Sequence, residues 1–225
     1  MHERVPNNMR MKRYVRYVLL PIFMAILMFM SGFQSGSNMR LDVPENELDS
    51  VIHALQKGGY ILYVRHGEAT VGQDRPAVDF NECSTQRNLS DTGREQAKML
   101  GESMRKLNIP VQYPVVASPY CRTRESAELA FGSGNVAVDP SLAAIAKLSD
   151  STISAAEKQS IVTQVEKMFE VVPLSGTNKV IIGHAFPAGV AVGEIPYMGT
   201  VVIKPKGPGN GYEIVQKISL QDFMR

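Results

Sequence analysis

The chain has 225 residues, 44% hydrophobic and 20% charged, which is the size and balance of one globular domain or at most two small ones. A formal net charge of +2, with much of the basic excess near the N-terminus, excludes a protein that wraps nucleic acid. The two cysteines, Cys83 and Cys121, form no Cys-x-x-Cys pair and neither has an Arg six positions on, so a structural zinc site and cysteine-phosphatase chemistry are both disfavoured.

The first segment reads as a leader. Arg4, Arg10, Lys12, Arg13 and Arg16 precede an apolar run from Tyr17 to Met30, and a small polar stretch, Ser31 to Asn38, follows. That order is the layout of a secretory signal. At ~1.5 Å per residue the apolar run reaches about 21 Å, short of the roughly 30 Å of hydrocarbon that a spanning helix must cross. Residues 1–37 are therefore expected to be a signal peptide cut after Ser37, or else an N-terminal membrane anchor through residues 17–33. A start at Met11 would leave Met-Lys-Arg as a compact basic region, and the lack of a following Cys argues against a lipid anchor. Residues 38–225 would then form one extracytoplasmic domain, secreted or tethered. In that compartment Cys83 and Cys121 form a disulfide or stay as separate buried thiols, and their spacing leaves both open.

Along the domain, Leu48, Val51, Ile52 and Leu55 recur at helical spacing over residues 45–57, and Gly58-Gly59 stops that helix. Tyr60 to Val64 reads as a short buried strand. Residues 68–89 are rich in Gly, Asp, Asn, Pro and Ser without a period, and read as a long loop of the kind that carries function. Ser90 is placed to cap a helix whose Ala97, Leu100, Met104 and Leu107 face one side, ending near Asn108 and Pro110. A strand follows at Pro114 to Ala117. Ser118-Pro119 then reads as cap and first residue of a helix running to Phe131 and terminated by Gly132. Another amphipathic helix is expected over 154–172, through Ile161, Val162, Val165, Met168, Phe169 and Val172. The last elements are a strand from Lys179 to Ile182 and an antiparallel edge hairpin at about 198–204 and 211–218. Strands alternating with long helices predict a three-layer α/β/α sandwich with a mostly parallel central sheet.

Three expected strands run straight into polar residues suited to phosphate: Arg65-His66-Gly67, Ser118-Pro119 leading to Arg122, and Gly183-His184. Ligands of open α/β sheets bind beyond the carboxyl ends of the strands, so these segments are expected to converge. Arg65 and Arg122 offer planar forks that match pairs of phosphate oxygens, and Arg122 falls in a first helical turn that also favours an anion. Gly67 is read as a sharp turn beside the reacting group. Neutral imidazole is nucleophilic near pH 7, which makes His66 the candidate nucleophile, its pKa held down by nearby arginine charge. His184 is placed opposite, to hydrogen-bond the equatorial oxygens of the transition state. Taken singly, each has a blander reading: a capped turn for Arg65-His66-Gly67, a solvated helix arginine pairing with Glu125 or Glu128 for Arg122, a core histidine for His184. Their joint placement at strand ends tips the balance to a phosphate site.

Four blocks carry a resemblance: Tyr63-Val-Arg-His-Gly-Glu68, Leu89-Ser-Asp-Thr-Gly-Arg-Glu-Gln-Ala97, Ser118-Pro-Tyr-Cys-Arg-Thr-Arg-Glu-Ser-Ala127 and Val180-Ile-Ile-Gly-His184. In order and spacing, over about residues 48–218, the chain resembles the histidine phosphatase superfamily, also called phosphoglycerate mutase-like. The resemblance implies that His66 accepts the phosphoryl group, with Arg65, Arg122 and His184 as its pocket, no metal and no cofactor, and a small phosphorylated substrate. The stretch Cys83-Ser-Thr-Gln-Arg-Asn-Leu and Cys121 beside Arg122 resemble a small, exported bacterial branch, some of whose relatives act on heptose phosphates of lipopolysaccharide. One departure concerns the general acid, which many members place after the second strand or just beyond the second histidine. Here Ala185 follows His184 and residues 141–149 hold no carboxylate, leaving Glu68, Glu82, Asp150 and Glu194 as candidates. The short segment 139–154 also lacks the cap insertions of larger sugar-phosphate enzymes, which implies an open pocket. Hydrolysis of a phosphate monoester is the expected activity; a phosphomutase and a phospho-ligand-binding protein without turnover are the alternatives.

Overall fold

Short apolar runs without alternation suit strands covered on both faces, and the longer amphipathic runs suit the helices that cover them. In the computed structural model, which describes residues 44–224, that is how the chain resolves; the expectations for residues 1–37 lie outside the described residues. The elements in chain order are α1 (Glu45–Gln56), β1 (Ile61–Arg65), β2 (Ala69–Val71), β3 (Asn88–Leu89), α2 (Asp91–Lys106), β4 (Val111–Ala117), α3 (Cys121–Phe131), β5 (Val136–Val138), α4 (Ala155–Phe169), β6 (Asn178–Gly183), β7 (Thr200–Pro205), β8 (Tyr212–Ile218) and α5 (Leu220–Phe223). The main sheet has the order β5-β4-β6-β1-β7-β8. Its β5, β4, β6 and β1 run parallel, while β7 is antiparallel to both β1 and β8. The fold is α/β, with a mostly parallel sheet between two helical layers and the expected hairpin at its edge.

Side-chain alternation divides the core in two. Leu62, Val64, Val180, Ile182 and Val202 point to one face, where they meet Leu48, Ile52 and Leu55 of α1, Leu100 and Met104 of α2, and Ala127 and Phe131 of α3. Ile61, Tyr63, Ile181, Val201 and Ile203 point to the other, against Ile161, Val165 and Phe169 of α4. At roughly 1.5–3 kcal/mol for each large apolar side chain removed from water, these two layers hold the sheet rigid where its strands end.

The structure corrects several expectations. Helix α3 starts at Cys121 with Tyr120 as its cap residue, not at Ser118-Pro119. The Ser118 hydroxyl is taken instead by the ring of His184, and its carbonyl accepts the Thr123 hydroxyl. Strand β4 begins at Val111, and Pro114 is tolerated because a register shift lies between Gln112 and Val116. Helix α4 stops at Phe169, and Val172 is 57% exposed: it precedes Pro173, whose ring disfavours helical backbone in the residue before it. Residues 68–89 are not a bare loop, since β2 and β3 pair within them and Cys83–Thr85 forms a 3₁₀ turn. Strand β5 and the 3₁₀ helix Pro140–Lys147 were not anticipated either; the latter buries Leu142 and Ile145 in the second core layer. Cys83 and Cys121 are joined as a disulfide, which decides the alternative that the sequence left open.

Candidate active site

Because β1, β4 and β6 are parallel, their carboxyl ends lie on one edge of the sheet, and the residues just beyond them keep the ladder going. The His66 N–H donates to the Gly183 carbonyl and the Ser118 N–H to the Ile182 carbonyl, both at 3.0 Å. On the other side of β1, the Arg65 N–H donates to Gly199 and its carbonyl accepts from Met198. The nucleophile candidate is thus pinned from both sides. Its ring centroid lies 5.5 Å from that of His184, nearly edge-on, and the two residues are 3% and 4% exposed.

The proton on His66 can be assigned from its partner. Nδ1 lies 2.7 Å from the Gly67 carbonyl oxygen, which only accepts, so Nδ1 carries the hydrogen and Nε2 keeps the lone pair. Burial holds the His66 pKa well below its ordinary value, with the charge of Arg122 next in size and those of Arg65 and Arg87 smaller. Arginine charge was expected to be the cause; desolvation is the larger one. His184 is held neutral in the same way, by burial first and then by His66 and the arginines. Its Nε2 is 2.9 Å from Ser118 Oγ, and its backbone is clamped by Tyr63, whose hydroxyl donates to the His184 carbonyl at 2.6 Å and accepts its N–H at 3.1 Å. A side chain on Gly183 would run into that hydroxyl, since its Cβ would lie 2.4 Å away.

Gly67 serves a purpose other than the sharp turn expected of it. Its φ is not among the positive values, but a Cβ there would stand 2.4 Å from the Gly93 carbonyl oxygen, and one on Gly93 would stand 2.0 Å from that of Glu68. The two glycines let the first turn of α2 lie directly against the backbone of Gly67 and Glu68. That contact is reinforced by the Gly67 N–H donating to Ser126 Oγ on α3.

Arg65 and Arg122 both reach this edge. The Arg65 guanidinium stacks 3.9 Å over the Tyr197 ring and donates to the Ile195 carbonyl; that of Arg122 lies 4.2 Å over Tyr120. Arg122 is 2% exposed, in the first turn of α3 as anticipated. The Nε atoms of both arginines are buried without a hydrogen-bond partner, which is costly unless an anion is to be met. A third cation, Arg87, was missed. Its charge lowers the pKa of both histidines, and its guanidinium is steadied on the Ala69 carbonyl. Only the fold of residues 72–87 brings it there: Gln86, buried, accepts the Cys121 N–H and donates to the Asp79 carbonyl, while the disulfide staples Cys83 to the start of α3.

The four carboxylates proposed as proton donors fare differently. Glu68 accepts the Ser90 hydroxyl at the cap of α2, and Glu82 caps the Cys83–Thr85 turn. Asp150 is exposed and is committed to Thr152, whose hydrogen bonds lower its pKa. Glu194 is exposed on the Arg65 side, where its charge raises the arginine's pKa. The carboxylate in direct contact with the cluster is one that was not considered, Asp74. Its Oδ1 lies 2.8 Å from Arg122 Nη1 and accepts the Arg87 N–H at 2.9 Å. Among the described residues, no group of three or more His, Cys, Asp or Glu is arranged to hold a metal ion.

Residues 61–149 match the histidine phosphatase superfamily (branch 1). The matched span takes in Arg65, His66, Asp74, Arg87 and Arg122 and ends before His184. Solved structures also align with the chain. A phosphohistidine phosphatase SixA from Agrobacterium tumefaciens aligns at 13% identity over 72% of this chain and 98% of that one, with a TM-score of 0.41. The protein histidine phosphatase SixA complexed with tungstate aligns at 14% over 72% and 98%, with 0.46. A phosphoserine phosphatase from Entamoeba histolytica, complexed with 3-phosphoglyceric acid, aligns at 14% over 73% and 98%, also with 0.46. A search of curated proteins gives no match.

Proposed function

We propose that the chain hydrolyses a phosphate monoester by way of a phosphohistidine at His66. The observation that carries this reading is the state of His66: neutral, with Nδ1 tied to Gly67 and Nε2 left as a free lone pair under Arg65, Arg87 and Arg122. In the first step Nε2 attacks phosphorus and the alcohol leaves; in the second, water attacks phosphorus and the electron pair of the P–N bond returns to Nε2. The arginine forks and His184 hold the equatorial oxygens, whose charge must be stabilised in a loose transition state. Their fixed cations supply the role that a metal plays in other phosphatases. The disulfide supports placing the domain outside the reducing cytoplasm, and the basic and apolar leader of residues 1–37 supports export, with or without retention as an anchor. A small exported bacterial branch fits that location.

The test is phosphate release by the full chain from p-nitrophenyl phosphate and a panel of sugar phosphates, beside His66→Ala. Wild-type turnover with an acid-labile phosphoenzyme, both lost in the variant by about 10³-fold or more, is expected. A folded protein that binds phosphate or vanadate without turnover or phosphoenzyme would make it a binding protein instead.

A further inference from the structure

From the Arg122 contact, and resting on the phosphatase reading, we infer that Asp74 is the catalytic acid and base of this site. Three observations converge on it. Asp74 is the carboxylate bound to the phosphate-clamping arginine, at 2.8 Å, whereas Glu68, Glu82 and Asp150 are spent on caps and turns. Its side chain is 32% exposed while the Arg122 side chain beneath it is 2% exposed, so it stands on the solvent side of the pocket. His66 is 3% exposed and attacks from the buried side, so in-line displacement sends the leaving oxygen toward solvent, the side on which Asp74 is exposed. Finally, Asp74 is held in place by the loop backbone as well as by Arg122, because its Oδ1 accepts the Arg87 N–H. When substrate phosphate takes over the Arg122 fork, Asp74 remains at the rim.

At rest the carboxylate fills the place on Arg122 that a phosphate oxygen would take. The ester enters as its monoanion, and as its phosphate oxygens take over Arg122 the proton it carries passes to the displaced Asp74 carboxylate. As the Nε2 lone pair forms the P–N bond, the P–O bond to the alcohol breaks. Its electron pair stays on the leaving oxygen, which accepts the proton from Asp74. In the return step the Asp74 carboxylate takes a proton from water as that oxygen bonds to phosphorus, and the P–N pair goes back to His66.

The experiment compares Asp74→Asn with wild type on two esters: p-nitrophenyl phosphate, whose phenolate leaves without a proton, and an alkyl phosphate, whose alkoxide does not. Asn keeps an oxygen for Arg122 and for the Arg87 N–H. The expected result is a fall in kcat/KM of about 10²-fold or more on the alkyl ester with little change on the aryl ester, as loss of a general acid requires. Equal falls on both esters would make Asp74 a positioning residue and overturn the assignment. So would the same selective loss in Glu194→Gln and not in Asp74→Asn. In either case an active wild type and an inert His66→Ala leave the phosphatase reading standing; a wild type inert on both esters overturns both.

Discussion

The two histidines and the loop that roofs them are built on different principles. His66 and His184 stand on a floor of parallel strands, pinned by ladder hydrogen bonds and by Tyr63, and backed by two layers of buried side chains. Residues 72–87 form a wall with little apolar packing of its own, in which Asp74 and Arg87 depend on polar contacts, a buried glutamine and one disulfide. The proposed nucleophile thus sits where the structure is hardest to deform. The groups proposed to exchange partners with substrate sit where deformation is cheap.

Separating floor from wall is the sharpest way to break that comparison. Replacing Cys83 and Cys121 by Ser removes a link across 38 residues, for which chain entropy predicts a loss of about 4 kcal/mol in a denaturant titration. Phosphoenzyme formation from p-nitrophenyl phosphate, whose leaving group needs no proton from Asp74, should weaken chiefly through KM, because Asp74, Arg87 and the Arg122 partners move while His66 does not. A kcat loss with unchanged KM would mean that the wall also shapes the floor.

The floor should respond to acid. In the unfolded chain His66 and His184 bind protons around pH 6.5, whereas the fold holds both well below that. The unfolded state therefore binds more protons as pH falls through about 6.5, and each histidine removes up to about 1.4 kcal/mol of stability per pH unit down to its depressed native value. The thermal midpoint of wild type should drop between pH 7 and 5 more steeply than that of His66→Gln. Parallel curves would show that His66 is not held neutral.

The smallest of these effects belongs to Tyr63→Phe, which keeps the ring contacts with Phe169 and Phe186 but orphans the His184 carbonyl and N–H. A stability loss of about 1–3 kcal/mol is expected, with a lowered kcat because the second histidine loses its clamp. An unchanged kcat would show that Ser118 alone fixes His184.

The contrast between floor and wall also explains what was legible in the sequence. Arg65, His66 and His184 stand next to apolar β-favouring runs, so burial pattern and parallel topology sufficed to bring them together. Ser90 was readable as a cap because its role is local, and the Gly93 N–H does donate to it. Asp74 and Arg87 lie in a stretch without periodicity, and their positions follow from long-range links that no local signal records. Ser118 was misassigned for the same reason: its preference for a cap lost to His184, just past β6 and far along the chain. Strand β5 was too short, and Val138 too exposed, to stand out from the turn around it.

The place of β1 at the middle of the sheet has a consequence for how the protein is made. Both of its neighbours come later in the chain: Ile61 pairs with Lys179 on one side and Ile203 on the other. A chain emerging N-terminus first therefore carries a largely apolar, unpaired strand through much of its synthesis, and contacts of such sequence separation form slowly. The cysteine pair, by contrast, is complete once residue 121 has emerged. The wall of the pocket is ready for closure before the second histidine exists.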